Sequence, residues 1–203
     1  MQGKLLSVDG IDGCGKSTQI RLLGDWLETR GHEVVHVRDP GGTTLGENLR
    51  EILLHRKEIA FGMRAEMLMY MSSRAQMVEE VMSPALEAGK VVLADRFLLA
   101  NVVYQGSAGG LPTDIIWSVG AVATRGLEPD FTAVLDLSPE TASARMGPER
   151  DRLESRGVEY MTRVREGFLE QAKQLGEKVQ VFDATESVEQ IHTRITDQLA
   201  LIV

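Results

Sequence analysis

The stretch Gly10-Ile11-Asp12-Gly13-Cys14-Gly15-Lys16-Ser17 has the spacing G-x-x-x-x-G-K-[ST], and its surroundings decide the architecture. It follows the β-rich run Leu5-Leu6-Ser7-Val8 and opens a helical pattern. Ile20, Leu23 and Leu27 mark one face of that helix and Gly31 stops it. A loop placed between strand and helix in this way suits phosphate. Its glycines let the backbone turn tightly, so that several amide N–H groups point inward. The helix beginning near Ser17 adds the positive end of its dipole. Lys16 then reaches the β- and γ-phosphates of a nucleoside triphosphate, and the Ser17 hydroxyl ligates magnesium. A dinucleotide fingerprint is disfavoured, because Thr18 stands where its third glycine belongs. A plain glycine turn does not explain the strand before the motif and the helix after it.

Outward from this loop, short β-rich runs alternate with helical patterns. Val34–Val37, Val91–Ala94, Thr132–Leu135 and Val179–Phe182 join Leu5–Val8 as strands expected to be buried on both faces. Val188, Ile191, Ile195, Leu199 and Ile202 repeat helical spacing near the end of the chain. Such alternation predicts an α/β, P-loop NTPase-type three-layer fold, a five-stranded parallel sheet flanked by helices. One domain, 1–203, is expected, with a lid segment at about 146–157. Pro84 falls inside the pattern from Arg64 to Ala88 and should kink or break that helix.

The chain has 203 residues, 43% hydrophobic and 26% charged, which excludes disordered and fibrous classes. No apolar run approaches the roughly 20 residues that cross a bilayer, and the start resembles no secretion signal. A single cysteine cannot form an internal disulfide, which fits a cytoplasmic setting. The formal charge of −8 suits neither nucleic acid nor anionic membranes as partners. Cys14 has two readings. Near a helix N-terminus and Lys16 its thiol pKa falls; alternatively it is a small residue that fits the loop. The four histidines show no metal-ligand spacing.

Two further features support phosphate chemistry. The run Val91–Ala94 ends in Asp95-Arg96, a carboxylate and a guanidinium at the edge where open α/β sheets bind ligands. Asp95 can hold magnesium directly or through water, and Arg96 can bridge phosphates. Arg145, Arg150, Arg152, Arg156, Arg163 and Arg165 lie in a stretch without lysine whose net charge is +2. Guanidinium forks suit the oxygens of a migrating phosphoryl group. Gly147-Pro148 and Gly157 mark part of this stretch as a mobile loop, while Arg163 and Arg165 read as a solvated, salt-bridged helix face.

Taken together, the chain resembles the thymidylate kinase family. The likeness rests on Asp9-Gly10 through Gln19, Arg38-Asp39-Pro40-Gly41-Gly42-Thr43, Tyr70 with Arg74-Ala75-Gln76, and Asp95-Arg96-Phe97 followed by Tyr104-Gln105-Gly106. It continues through Gly126–Asp130, Leu135-Asp136-Leu137 and Phe182-Asp183-Ala184. The resemblance implies a cytoplasmic homodimer that transfers the γ-phosphoryl group of ATP, with Mg2+, to dTMP. It implies that Gly10, Ile11, Asp12, Gly13, Cys14, Gly15, Lys16, Ser17, Thr18, Arg145 and Ala184 bind ATP, and that Ser17 and Asp95 serve the metal. For dTMP it implies Asp12 at the sugar 3′-hydroxyl, Tyr70 stacked on thymine, Arg74 at a thymine carbonyl and Asn101 at the base. Arg50 and Arg96 hold the acceptor phosphate, and Gln105 lies near base and sugar. The dimer runs through helix faces that include Met67–Met82 and Pro112–Thr124.

The family places a catalytic basic residue either inside the phosphate loop or in the lid. Asp12, Gly13 and Cys14 include none, so Arg150, Arg152 and Arg156 become candidates, with Arg150 or Arg152 expected to act beside Lys16 and Arg96. Three departures from the family pattern stand out: Asp9 and Asp39 replace glutamates, and Ala100 replaces a common serine. A kinase for another nucleotide and a non-kinase ATP-binding module are the alternatives. A guanine-reading Asn-Lys-x-Asp motif is absent from the sequence.

Overall fold

The computed structural model describes residues 3–147 and 151–203, and for Glu154 the backbone alone. Strands β1 (Lys4–Gly10), β2 (Val34–Arg38), β3 (Val91–Asp95), β4 (Phe131–Asp136) and β5 (Val179–Asp183) form one sheet in the order β2-β3-β1-β4-β5. All pairings are parallel, as the alternation predicts. Leu6 stands between Leu93 and Phe131, so β1 lies at the centre of the sheet.

Burial on both faces holds for β1, β3 and β4 but not for the outer strands. His36 on β2 is exposed, and Val181 on β5 is 38% exposed. The β-branched runs look alike in sequence, but only the central strands have neighbours on both sides. An edge strand is left open along its free side.

The helices among the described residues are α1 (Lys16–Glu28), α2 (Thr44–Arg50), α3 (Met63–Met77), α4 (Ser83–Glu87), α5 (Leu98–Asn101), α6 (Thr113–Thr124), α7 (Pro139–Arg145), α8 (Val158–Leu175) and α9 (Val188–Leu199). Their starts follow local chemistry. Thr43 Oγ1 accepts from the Gly46 amide at 2.9 Å to cap α2, and Ser187 with Gln190 forms a capping box on α9. Pro84 falls in the first turn of α4, where its missing N–H costs nothing, and the helical path from α3 reaches it through a wider π-type turn at Val78–Met82. The expected interruption is therefore a change of winding ahead of the proline. Similar turns extend α2 at Glu51–His55 and α5 at Val102–Ser107.

One core cluster joins Leu6, Val8, Leu23, Leu93, Phe131, Leu135 and Phe168; a second joins Val37, Met77, Met82, Val92 and Phe97. Among the described residues no helix is long and apolar enough to cross a membrane. Every strand runs the same way, so Gly10, Arg38, Asp95, Asp136 and Asp183 all arrive at one edge, and that edge carries the site.

Candidate functional site

The phosphate loop turns as its glycines require. Gly10 has φ of 132°, and a Cβ there would stand 2.5 Å from the Leu135 carbonyl oxygen. Gly13 has φ of 83°, and its Cβ would meet the Ala142 oxygen at the same distance. No side chain fits either place, so the loop lies directly on β4 and α7. Asp12, Gly13, Gly15, Lys16, Ser17 and Thr18 line a polar cavity together with Arg38, Asp39, Arg50, Asp95, Arg96 and Arg145. Gly10, Ile11 and Cys14 form the buried underside of the loop. Ala184 is also buried, and its carbonyl accepts from Arg145 Nη1 at 3.2 Å.

Lys16 is buried and donates through Nζ to the Ile11 carbonyl at 3.0 Å and to Asp12 Oδ1 at 3.1 Å. Arg96 donates to the Gly10 carbonyl at 2.9 Å and to the same Asp12 oxygen at 2.7 Å. Burial raises the Asp12 pKa, but the Arg96 and Lys16 cations outweigh it and hold the carboxyl below the usual range. Arg96 itself has φ of 69°, an uncommon conformation for a residue with a side chain, and its guanidinium lies 5.1 Å from the Tyr104 ring centre. Backbone strain at this position turns the chain from β3 back toward the loop.

Beneath the loop, Asp9 is fully buried. Its Oδ2 accepts from Ser7 Oγ at 2.7 Å, whereas Oδ1 has no partner among the described residues. Burial pushes its pKa up to about 6, against the lowering effects of that hydrogen bond and of Arg96 and Lys16. Burial also raises the Cys14 thiol, so of its two readings the lowered thiol pKa is corrected and the other stands: Cys14 packs as a small buried residue of the loop. The sequence pattern showed the cation beside the sulfur but not the apolar packing around it.

The oxygen atoms suited to magnesium are in place. The Ser17 hydroxyl and the Asp95 carboxylate face the polar cavity beside Lys16, and neither is taken up by a hydrogen bond or ion pair among the described residues. No cluster of three or more His, Cys, Asp or Glu suited to a metal occurs among those residues. A hydroxyl and one carboxylate fit an ion that keeps water and phosphate in most of its coordination sphere.

A second cavity adjoins the first and shares Asp12, Asp39, Arg50 and Arg96 with it. Pro40, Leu54, Tyr70, Arg74, Ala100, Asn101, Tyr104, Gln105, Asp151 and Leu153 complete its lining. Thus Asp12, Arg50, Tyr70, Arg74, Arg96, Asn101 and Gln105, which come from separate parts of the chain, all face one cavity. Glu66, Tyr70 and Arg74 recur every four residues on the inner face of α3. Burial raises the Tyr70 phenol, so it stays neutral. Arg50 donates to the Pro40 carbonyl at 3.0 Å, and burial lowers its pKa.

A chain of hydrogen bonds runs along the floor of this cavity. Arg74 Nε donates to Asp39 Oδ2 at 2.6 Å, with both side chains almost fully buried. Arg74 Nη1 donates to Asn101 Oδ1 at 3.0 Å. Asn101 Nδ2 donates to Gln105 Oε1 at 2.6 Å, and Gln105 Nε2 to Glu66 Oε1 at 2.8 Å. Arg156 closes the chain on Glu66 Oε2 and also donates to the Tyr160 hydroxyl at 2.9 Å, which in turn donates to the Tyr104 carbonyl at 2.6 Å. Sequence reasoning passed over Glu66, Arg38 and Asp39 as site residues. Arg38 ends β2 and Asp39 follows it at the ligand edge, which is a usable signal; the four-residue spacing of an acid with Tyr70 and Arg74 is the signal for Glu66.

The arginine-rich stretch separates into different settings. Arg145 lines the polar cavity. Arg152 instead donates to the carbonyls of Leu53, Arg56 and Ile59 at 3.1, 2.6 and 3.0 Å and stacks on Phe61, with its carbon 4.3 Å from the ring centre. Arg156 is held by Glu66 and Tyr160. Arg165 forks onto both Asp136 oxygens at 2.6 and 2.8 Å, in keeping with its bland reading. Arg150 lies outside the described residues, as does part of the 146–157 segment.

Comparison with known proteins agrees with this geometry. The family model described as thymidylate kinase matches residues 8–195. A thymidylate kinase of Caldanaerobacter subterraneus is 44% identical over 96% of this chain and 94% of its own length. One from Exiguobacterium sp. is 45% identical over 97% of this chain and 94% of its own. The crystal structure of thymidylate kinase from Ehrlichia chaffeensis superimposes with a TM-score of 0.80 at 26% identity, covering 98% of this chain and 99% of that one.

Proposed function

The chain belongs to the thymidylate kinase family, and from that premise we propose that its paired cavities carry out ATP + dTMP → ADP + dTDP. The observation that carries this reading is the convergence of Asp12, Arg50, Tyr70, Arg74, Arg96, Asn101 and Gln105 on one cavity that opens onto the Lys16 cradle. The polar cavity takes the ATP phosphates and the adjoining one takes the nucleoside monophosphate. Arg96 and Arg50, common to both, stand where donor and acceptor phosphates meet.

The chemistry follows from this placement. The attacking atom is an acceptor phosphate oxygen that is already anionic, so no strong base is needed, and alignment with charge neutralisation performs the catalysis. Lys16 exchanges its contacts with Ile11 and Asp12 for the β- and γ-phosphate oxygens. Asp12, released from Lys16, is free to meet the sugar 3′-hydroxyl. Arg96 keeps its bond to the Gly10 carbonyl and turns its other donors to the acceptor phosphate. Tyr70 packs against the base and Arg74 donates to its carbonyl. Ser17 and Asp95 would hold magnesium, which would neutralise phosphate charge. Arg145 and the Ala184 backbone border the donor nucleotide. Arg150 or Arg152 stabilises the transferred phosphoryl group, and Arg152 does so by leaving the Leu53, Arg56 and Ile59 carbonyls as the 146–157 lid closes.

The whole chain, 1–203, acts as one kinase domain in the cytosol. Its lone cysteine suits a reducing compartment, and its −8 charge disfavours nucleic acid and membranes as partners. It works as a homodimer through α3 and α6. Those helices pack together and turn Leu68, Ile115 and Val122 outward, 51%, 51% and 81% exposed. The test is an ADP-release assay across nucleoside monophosphates. dTMP is expected to give the highest kcat/KM; a higher value for dUMP, AMP, CMP or GMP refutes the proposal.

A further inference from the structure

Glu66 is 2% exposed and stands between two donors. Gln105 Nε2 reaches one of its oxygens and Arg156 the other. We infer that Glu66 is a positioning residue that fixes the orientation of the Gln105 amide, and through it the choice of a keto over an amino pyrimidine as acceptor. The inference rests on the proposed role of this cavity as the nucleoside monophosphate site.

The argument is one of polarity. Arg74 can only donate and an ionised Glu66 can only accept, so the two amides between them have one consistent arrangement. Asn101 turns its oxygen to Arg74 and its nitrogen to Gln105; Gln105 turns its oxygen to Asn101 and its nitrogen to Glu66. Asn101 and Gln105 both line the cavity, each with a spare oxygen lone pair and a second N–H, and Arg74 has free donors beside them. Thymine presents a carbonyl at C4 and an N3–H, which match a donor and an acceptor. Cytosine presents an amino group at C4, which meets the Arg74 donors like against like, and a bare N3 that offers the amide oxygens no proton.

Only a group with two accepting oxygens serves both neighbours of position 66. An amide there has one oxygen and one NH2. The charged Arg156 bond is the stronger, so the oxygen goes to Arg156 and the NH2 faces Gln105. Gln105 can satisfy that NH2 only by flipping, which sets its nitrogen where its oxygen stood and against Asn101 Nδ2, so the mismatch falls on the wall that a base meets. In the unsubstituted chain Glu66 serves both neighbours, so Arg156 bears on base choice only when position 66 carries an amide.

The experiment compares kcat/KM for dTMP and dCMP in four proteins: unsubstituted, Glu66→Gln, Arg156→Met and the double variant. Glu66→Gln is expected to lower the dTMP:dCMP ratio by about tenfold or more, the effect of one mismatched buried hydrogen bond. Arg156→Met, which leaves Glu66 to orient Gln105, is expected to keep the ratio within about twofold, whatever it does to kcat. The double variant is expected to recover the ratio, because the amide at position 66 no longer has Arg156 to satisfy and can turn its oxygen to Gln105. An unchanged ratio in Glu66→Gln, or a double variant no better than Glu66→Gln, overturns the inference. If Glu66→Gln does not fold, as judged by circular dichroism, Gln105→Leu must lower the same ratio, and an unchanged value there overturns it too. An unsubstituted protein without preference for dTMP over dCMP overturns the acceptor reading itself; a preference that survives Glu66→Gln overturns only the role of Glu66.

Discussion

Asp9→Asn is expected to change how stability depends on pH. In the folded chain the Asp9 carboxyl titrates near about 6 because it is fully buried, with one oxygen unpartnered, against 3.8 for an ordinary aspartate. At roughly 1.4 kcal/mol per pH unit, that gap amounts to about 3 kcal/mol. The sign follows from proton uptake. Between pH 3.8 and about 6 the folded state keeps a proton that the unfolded chain has lost, so raising the pH through this window favours unfolding. Above the window the whole cost is present; below it the cost is absent. Asparagine keeps an oxygen for Ser7 and carries no charge at any pH. The difference in unfolding free energy between Asp9→Asn and the unsubstituted chain should therefore grow in favour of Asn by about 2.5 kcal/mol from pH 4 to pH 8. Urea unfolding at half-unit pH intervals, without nucleotide, measures it. A difference that stays flat across this range refutes the argument that Asp9 is a buried, uncompensated acid.

Other substitutions test the rest of the site. Lys16→Ala should lower kcat by about 10²–10³, the usual loss for one preorganised phosphate donor, in single-turnover dTDP formation; a fall below about tenfold removes Lys16 from the chemistry. Asp39→Asn leaves Arg74 as an uncompensated buried cation and should destabilise the protein by about 3–5 kcal/mol, read from urea midpoints; a loss under about 1 kcal/mol contradicts the pairing. Alanine at Arg150 and at Arg152 should lower kcat with little change in dTMP affinity, and unchanged kcat in both refutes the lid assignment. Alkylation of Cys14 by iodoacetamide should proceed only as fast as the protein opens, because its thiol is buried; rapid reaction of the native protein shows otherwise.

Much of the fold was legible because its signals are local. The glycines at 10, 13 and 15, the apolar face of α1 and the five β-rich runs each report through nearby residues. What was not legible depends on neighbours distant in sequence. The free sides of β2 and β5 follow from strand order, which no single run encodes. The site shows the same division. Every residue assigned to the acceptor lines one cavity: Asp12, Tyr70, Arg74, Arg96 and Gln105 sit in short local motifs, while the resemblance alone pointed to Arg50 and Asn101. Glu66, by contrast, gains meaning only beside Gln105, 39 residues away, and Arg156, 90 residues away. The arginine-rich stretch shows the limit of composition. Its residues share one charge, yet Arg145, Arg152 and Arg165 meet a cavity, a row of carbonyls and a carboxylate.

Among the described residues the two cavities overlap in only Asp12, Asp39, Arg50 and Arg96. The rest of the phosphate cradle comes mainly from the turn between β1 and α1 and the first turn of α1, while α3 and residues 100–105 supply most of the other. The fold is therefore modular in the manner of a tool holder with exchangeable bits. Changes on α3 or in residues 100–105 can retarget the enzyme to other monophosphates while the machinery that grips the triphosphate stays as it is. A library built on this chain to accept unnatural bases would vary positions 66, 70, 74, 101 and 105 and leave 10–18 alone.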